Sequence, residues 1–148
     1  FDSFGPVPEG EYIVPLGKAE VARIGKDVTV IAIGRMRVFA LQAAERLAES
    51  GVDVEVIDPL SLSPLDERAI IESVKKTHRL VVVDEDNPRC SIARDIVALA
   101  TQKALYYLDA APQTVTAPHA PVPFSPPLED AYIPGPAQIV AAIRATIA

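Results

Sequence analysis

A run of six apolar or β-branched residues, 28–33, constrains the fold of this chain most strongly. Apolar and polar residues do not alternate in it, which is typical of a strand covered on both faces of a sheet. Gly34 allows a tight exit, and a helical pattern then extends from Arg35 to about Glu49. This strand, turn and helix indicate a sheet flanked by helices. The helix face predicted to be buried consists of Leu41, Ala44, Leu47 and Ala48.

Two more strand patterns, 52–58 and 80–84, lie on either side of a second helix. Asp66 is placed to cap that helix, and its apolar stripe is Ile70, Ile71 and Val74. Because strands joined through a helix run parallel with a right-handed crossover, these units extend one parallel sheet. The short segment 19–24 is predicted as an antiparallel edge strand, joined to strand 28–33 as a hairpin through the turn 25–27.

The rest of the chain continues the same layering. A third helix is predicted from about Ser91 to Leu108, a last short strand at 113–117 and a closing helix at 137–147. The connection 118–136 is long and proline-rich, so it is expected to lie on a partner or along the domain surface. The predicted fold is a three-layer α/β/α domain with about five mostly parallel strands and one antiparallel edge strand. The predicted buried residues of the last two helices are Ile92, Ile96, Leu99 and Leu105, then Ile139, Val140 and Ile143.

Composition limits the function classes. The 148 residues suit one domain, and no apolar run approaches the roughly 20 residues that cross a bilayer. A net charge of −6 argues against a general nucleic-acid binder.

The single cysteine, Cys90, excludes an internal disulfide and a thiolate-rich metal site, and it suits a reducing compartment such as the cytoplasm. The chain starts at Phe1 without a methionine, which indicates a piece of a longer protein.

Ligands of open parallel sheets bind at the carboxyl ends of the strands, so candidate functional residues are expected there. Arg35 and Arg37 stand in the first turn of a helix, where backbone N–H groups also favour an anion. A single glycine, Gly34, is not a nucleotide-binding signature, and the alternative is that both arginines form ion pairs at the surface or between subunits.

The other candidate groups are acidic residues, histidines and the cysteine. Asp58 and the acidic stretch 84–86 could hold a divalent cation or a phosphoryl group, against the alternative of a solvated acidic loop. His78 is expected to cap the second helix, and His119 has no second ligand at metal spacing. Cys90 is expected to be a buried structural thiol. No self-sufficient active site is predicted.

The chain has five recognisable stretches, at 12–19, 27–36, 64–66, 73–77 and 121–125. Together they resemble the C-terminal domain of the β subunit of thiamine-diphosphate-dependent 2-oxo acid dehydrogenases. Within that family, 84–91 and 116–119 are most similar to the acetoin dehydrogenase branch, since pyruvate-type members usually carry a glycine-rich turn where this chain has 90–93. The resemblance covers essentially the whole chain.

This resemblance implies a transketolase C-terminal domain fold whose first strand is antiparallel. It also implies that thiamine diphosphate and magnesium bind between an α subunit and a missing N-terminal half of the β subunit. Residues 1–18 are then an extended linker from that half, residues 19–148 are the domain, and the fragment alone is inactive. The Gly-Asp-Gly diphosphate motif is absent from the chain.

The same resemblance implies a role in assembly. The domain would pack against a second β subunit in an α2β2 heterotetramer and receive the subunit-binding domain of a dihydrolipoyl acyltransferase. The matching positions are Asp109 and the terminus at Ala148, whose carboxylates would accept arginine or lysine from a basic partner. The alternative for Asp109 is a solvated surface charge.

Two other classes remain open at the level of sequence. One is a pyruvate or branched-chain dehydrogenase, or a transketolase-like enzyme. In the transketolase-like enzyme, Arg35 or Arg37 would bind a sugar phosphate. The other is a stand-alone flavodoxin-like signalling module.

Overall fold

The strands form one sheet in the order β1-β3-β2-β4-β5 in the computed structural model, which describes residues 6–148. β1 pairs antiparallel with β3, and the other three pairs are parallel. The predicted fold class is therefore confirmed. The strands are β1 (Glu20–Arg23), β2 (Val28–Ala32), β3 (Val54–Asp58), β4 (Leu80–Val83) and β5 (Gln113–Val115). The helices are α1 (Met36–Ala48), α2 (Glu67–Thr77), α3 (Ile92–Ala104), α4 (Pro126–Tyr132) and α5 (Pro136–Ile147), with a 3₁₀ turn at Leu105–Tyr107.

Helices cover both faces of the sheet, so the central strands are buried on both sides. In β2, Val28 and Val30 pack with α1 and α5, whereas Ile31 packs with α2 and α3. Thr29 also faces α2, where its hydroxyl lies 2.5 Å from that of Ser73 and 2.6 Å from that of Thr77. The continuous apolar pattern of this strand follows from that double burial.

The predicted hairpin is wrong. β1 pairs with β3, with Glu20 opposite Asp58 and Val21 opposite Ile57, while β2 lies between β3 and β4. Both edges of β2 are taken by parallel neighbours, so no place beside it remains for β1. The residues predicted to form the hairpin turn, 25–27, instead cross the start of β3. There the N–H groups of Lys26 and Asp27 donate to the carbonyl of Asp53.

Two predicted helix faces also differ from the structure. In α1 the buried face is Met36, Ala40, Ala43, Ala44 and Leu47, so Leu41 is only half-buried and Ala48 is exposed. Small alanines face α5, which allows the two helices to approach closely. The third helix ends at Ala104, where the backbone leaves helical geometry at φ −139°, and Leu105 is 52% exposed. The connection 118–136, for which no helix was predicted, contains α4.

Asp66 caps α2 as predicted and also holds the segment before β1. One carboxylate oxygen accepts the N–H of Ala69 at 3.1 Å, and the other accepts the N–H of Ala19 at 3.1 Å. Burial alone would raise the pKa of Asp66, but these two N–H donors outweigh it and hold the pKa below its ordinary value. Asp66 therefore joins the start of the domain to its second helix.

Replacement of Asp66 by alanine is expected to lower the free energy of unfolding by about 1–2 kcal/mol at pH 7. Since the folded-state pKa of Asp66 is depressed, this stabilisation is present above the unfolded-state pKa of about 3.9 and is lost as the pH falls through the folded-state pKa. Urea unfolding at pH 7 and pH 3 measures it, and the difference between the wild type and Asp66→Ala should be smaller at pH 3 than at pH 7. A difference of equal size at both pH values would contradict the ionic contribution.

Candidate functional site

Arg37 lies at the carboxyl edge of the sheet and is engaged by two carboxylates of its own chain. Its guanidinium donates to both carboxylate oxygens of Glu20 at 2.7 Å and to Asp58 at 3.4 Å. The hydrogen bonds from Arg37 hold the pKa of Glu20 below its ordinary value, and those to Glu20 raise the pKa of Arg37. The pair fastens the first residue of β1 to α1. This matches the ion-pairing alternative for Arg37.

The start of α1 offers little to an anion. The N–H groups of the first three residues after Arg35 bond to the carbonyls of residues 33–35 at 3.1–3.2 Å, which closes a tight first turn. The guanidinium carbon of Arg35 lies 5.4 Å from the centre of the Phe39 ring. Anion binding at Arg35 and Arg37 stays a prediction that these contacts do not favour.

The acidic stretch 84–86 forms a folded loop at the same edge. The side chain of Asp84 is 5% exposed, and burial raises its pKa above the ordinary value. The N–H of Asp86 donates to the Asp84 carboxylate at 3.3 Å, and the carbonyl of Asp86 accepts the N–H of Ala117 at 3.1 Å. Across residues 6–148, no group of three or more histidine, cysteine, aspartate or glutamate side chains is arranged to hold a metal ion.

Cys90 and His78 lie at opposite ends of β4, so they do not form a catalytic pair. Cys90 is exposed, so its predicted burial is wrong; it occupies a turn at φ +52°, and the next residue, Ser91, takes the buried position before α3. His78 is the C-cap of α2, as predicted, with φ +62° and an N–H bond to the carbonyl of Val74 at 2.8 Å. His119 lies exposed in the connection after β5.

The two predicted partner-binding positions lie at the opposite, amino edge of the sheet. Asp109 is 56% exposed there, and its backbone N–H donates to the carbonyl of His78 at 2.9 Å. Arg79 places a guanidinium nitrogen 3.5 Å from the Asp109 carboxylate and donates to the carbonyl of Thr146 at 2.9 Å. Arg79 thus connects Asp109 to the last turn of α5, which ends next to the exposed Ala148.

Arg79 was missed by sequence reasoning. Its partners are up to 67 residues away along the chain, so no local pattern could have indicated them. The exposed 3₁₀ turn Leu105–Tyr107 was also missed, because its residues continue the apolar spacing of α3.

The fold and these contacts can be compared with known proteins. The family model described as "Transketolase, C-terminal domain" matches residues 17–139. The chain belongs to this family. A transketolase C-terminal domain therefore runs from just before β1 into α5, which confirms the fold expected from the motifs.

Two curated relatives match most of this chain. The β subunit of acetoin:2,6-dichlorophenolindophenol oxidoreductase of Bacillus subtilis is 57% identical over 136 residues, or 92% of this chain and 40% of that subunit. The pyruvate dehydrogenase E1 component β subunit of Rhizobium meliloti is 39% identical over 135 residues, or 91% of this chain and 29% of that subunit. The chain thus spans two fifths or less of the length of these relatives.

A solved structure has the same fold. A split-gene transketolase, described as an inactive β4 tetramer, superposes with a TM-score of 0.75 and 26% identity, covering 90% of this chain and 44% of that one. Among the helices of residues 6–148, none is long and apolar enough to cross a membrane.

Proposed function

We propose that this chain is the C-terminal assembly domain of the β subunit of an acetoin dehydrogenase-type, thiamine-diphosphate-dependent enzyme. That enzyme oxidatively cleaves acetoin or a 2-oxo acid and passes the acyl group to lipoyl groups. The observation that carries the proposal is the 57% identity to the acetoin-oxidising relative, against 39% to the pyruvate-type relative. The cytoplasm is the compartment we infer.

The charged groups at the carboxyl edge support assembly over chemistry. Arg37 is paired with Glu20 and Asp58, and Asp84 accepts backbone N–H groups of its own loop. These side chains bond to one another or to the backbone of their own loop, which supports a structural role for this edge. The domain therefore contributes a scaffold beside a reaction centre built by other parts of the enzyme.

The residues of this chain do not fit thiamine diphosphate and magnesium. The chain lacks the Gly-Asp-Gly motif, and the acidic side chains of residues 6–148 do not cluster as metal ligands. The cofactor would be held by an α subunit and the N-terminal half of the β subunit, with residues 1–18 linking that half to the domain at 19–148. We derive no chemical step from the residues present.

The partners in this proposal are an α subunit, a second β subunit and a basic subunit-binding domain of a dihydrolipoyl acyltransferase. The last would bind at the amino edge, where Asp109 is exposed next to the end of α5 and Ala148. Arg79 already lies beside Asp109, so the carboxylate is held in position before a partner arginine or lysine arrives. Because the Asp109 side chain is about half-exposed, salt screens its attraction to a partner cation. Binding should therefore weaken as salt is added.

The test measures the rate at which the enzyme reduces the dye 2,6-dichlorophenolindophenol. The enzyme is the full-length β subunit assembled with its α subunit, thiamine diphosphate and magnesium. We expect kcat/KM for acetoin to exceed that for pyruvate and for a branched-chain 2-oxo acid by at least about tenfold, since such a ratio needs only about 1.4 kcal/mol of discrimination. The chain on its own should show no turnover. Preference for pyruvate would contradict the substrate, and turnover by the isolated chain would contradict the assembly role.

A further inference from the structure

The loop 59–64, which follows β3 at the carboxyl edge of the sheet, holds Leu60 in a strained backbone conformation. Leu60 has φ +57°, in the left-handed region that a residue with a branched side chain enters only at a cost in free energy. Its side chain is 48% exposed, so burial within this domain offsets only part of that cost. Strain of this kind persists where the surrounding contacts fix it, and it is concentrated at functional positions.

Hydrogen bonds on both sides of Leu60 fix the strained conformation. The carboxylate of Asp58 accepts the N–H of Leu60 at 3.0 Å, and the N–H of Ser61 donates to the carbonyl of Pro59 at 2.6 Å. Asp58 is itself bound by Arg37 at 3.4 Å. The ion pairs at the carboxyl edge therefore hold the group that holds Leu60.

The loop presents a small apolar surface to solvent. Leu62 is 44% exposed, and Leu16 is 80% exposed. The hydroxyl of Ser61 accepts the N–H of Gly17 at 2.8 Å, which brings Leu16 beside the loop. We call Leu16, Leu60 and Leu62 the leucine patch. Its loop backbone is fixed in advance, so another part of a protein could bury it with little loss of conformational entropy.

The course of the chain before β1 selects what covers the leucine patch. Glu20, the first residue of β1, lies opposite Asp58, the last residue of β3, so the chain reaches β1 from the carboxyl edge. Residues 6–16 are all exposed on this domain. The chain spans 40% of the acetoin-oxidising relative, and the proposed function places the rest of such a subunit ahead of this domain. A half-subunit tethered through residues 6–16 has a high effective concentration at the leucine patch.

We propose that the leucine patch seats the N-terminal half of the same β subunit on the carboxyl edge, and that the strain at Leu60 is retained because it aims this side chain at that half. This rests on the proposed function, which supplies the N-terminal half as the occupant. The pairing of Arg37 with Asp58 then serves assembly, since it fixes the loop in the form that the N-terminal half contacts. The carboxyl edge faces the rest of the β subunit, and the amino edge stays free.

The experiment introduces a photo-crosslinking residue, as Leu62→p-benzoylphenylalanine, into the full-length β subunit assembled with its α subunit. Irradiation is expected to cross-link position 62 to the N-terminal half of the same polypeptide, as mapped by mass spectrometry. Ile24→p-benzoylphenylalanine is the matched control, since Ile24 is an exposed aliphatic residue beyond the other end of β1, and it should give no such cross-link. A cross-link from position 62 to the α subunit or to the second β subunit, or none, would overturn the proposal.

Leu60→Gly separates the strain from the contact. In the 148-residue chain alone, relief of the strain should offset the loss of a half-exposed side chain, so the midpoint of urea unfolding should not fall. In the assembled full-length enzyme, the midpoint of inactivation by urea should fall by about 0.5 M, because the contact with the N-terminal half is lost.

His78→Gly is the control for strain, since His78 has φ +62° at the amino edge and should shift the midpoint equally in the chain and in the assembled enzyme. An equal shift for Leu60→Gly in both would contradict the contact. That failure would leave the proposed function standing, because the preference for acetoin is measured independently of this loop.

Discussion

Replacing Gly25 by alanine is expected to prevent the domain from folding, or to lower its free energy of unfolding by about 4 kcal/mol or more. Gly25 is buried where the chain crosses β3. A Cβ atom added there would lie 2.3 Å from the carbonyl carbon of Val54 and 2.4 Å from the nitrogen of Glu55. Both are backbone atoms of a strand that is paired on both sides, so they cannot move aside as a side chain would.

Gly34→Ala is the control for this effect. Gly34 has φ +56°, but a Cβ there would meet no atom within 4 Å, so the cost is conformational and should be about 1–2 kcal/mol. Urea unfolding of both variants separates steric overlap from backbone strain. Equal losses of stability in the two variants would contradict the close approach of Gly25 to β3.

Replacing Lys76 by methionine is expected to lower the free energy of unfolding by about 2–3 kcal/mol, because it removes the cation that faces a buried carboxylate. Glu55 is 3% exposed, and Lys76 is its cationic partner. The carboxylate also accepts the hydroxyl of Ser73 at 2.5 Å and the N–H of Gly25 at 3.3 Å. The expected loss is below that of a fully buried pair, since the Lys76 side chain is 46% exposed and water can reach its side of the pair.

Lys75→Met is the matched control on the same helix. Lys75 pairs at 3.2 Å with Glu72, whose side chain is 63% exposed, so its loss should cost less than about 0.5 kcal/mol. A double-mutant cycle with Glu55→Met and Lys76→Met completes the test, and the double variant should lose less stability than the two single variants added together. Additive losses would show that Glu55 and Lys76 do not depend on each other.

The three-layer arrangement of helices and sheet could be predicted from the sequence because it depends on local patterns. The doubly buried strand 28–33, the cap at Asp66 and the stripe Ile70, Ile71 and Val74 each lie within one element, and each agrees with the structure. The partner of β1 could not be predicted locally, since Glu20 pairs with Asp58, 38 positions further along the chain. Only the occupied edges of β2 exclude the hairpin.

The candidate sites show the same limit. Placing Arg37 and Asp58 at one edge required only the topology, whereas their engagement with each other and with Glu20 depends on side-chain geometry. The burial of Cys90 was predicted from the general behaviour of free cysteines, but a turn at φ +52° directs it outward and leaves the buried position to Ser91.

The most direct test of the central claim compares two rates of one assembled enzyme carrying Asp109→Ala. Reduction of the dye 2,6-dichlorophenolindophenol reports the oxidation step without the acyltransferase, whereas the proposed function makes acyl transfer through the whole complex depend on docking at the amino edge. If the domain serves assembly, dye reduction should stay within about twofold of the wild type, while the overall rate should fall about tenfold near the dissociation constant of the partner. A parallel loss of both rates would contradict the claim, because Asp109 would then act on the reaction centre itself.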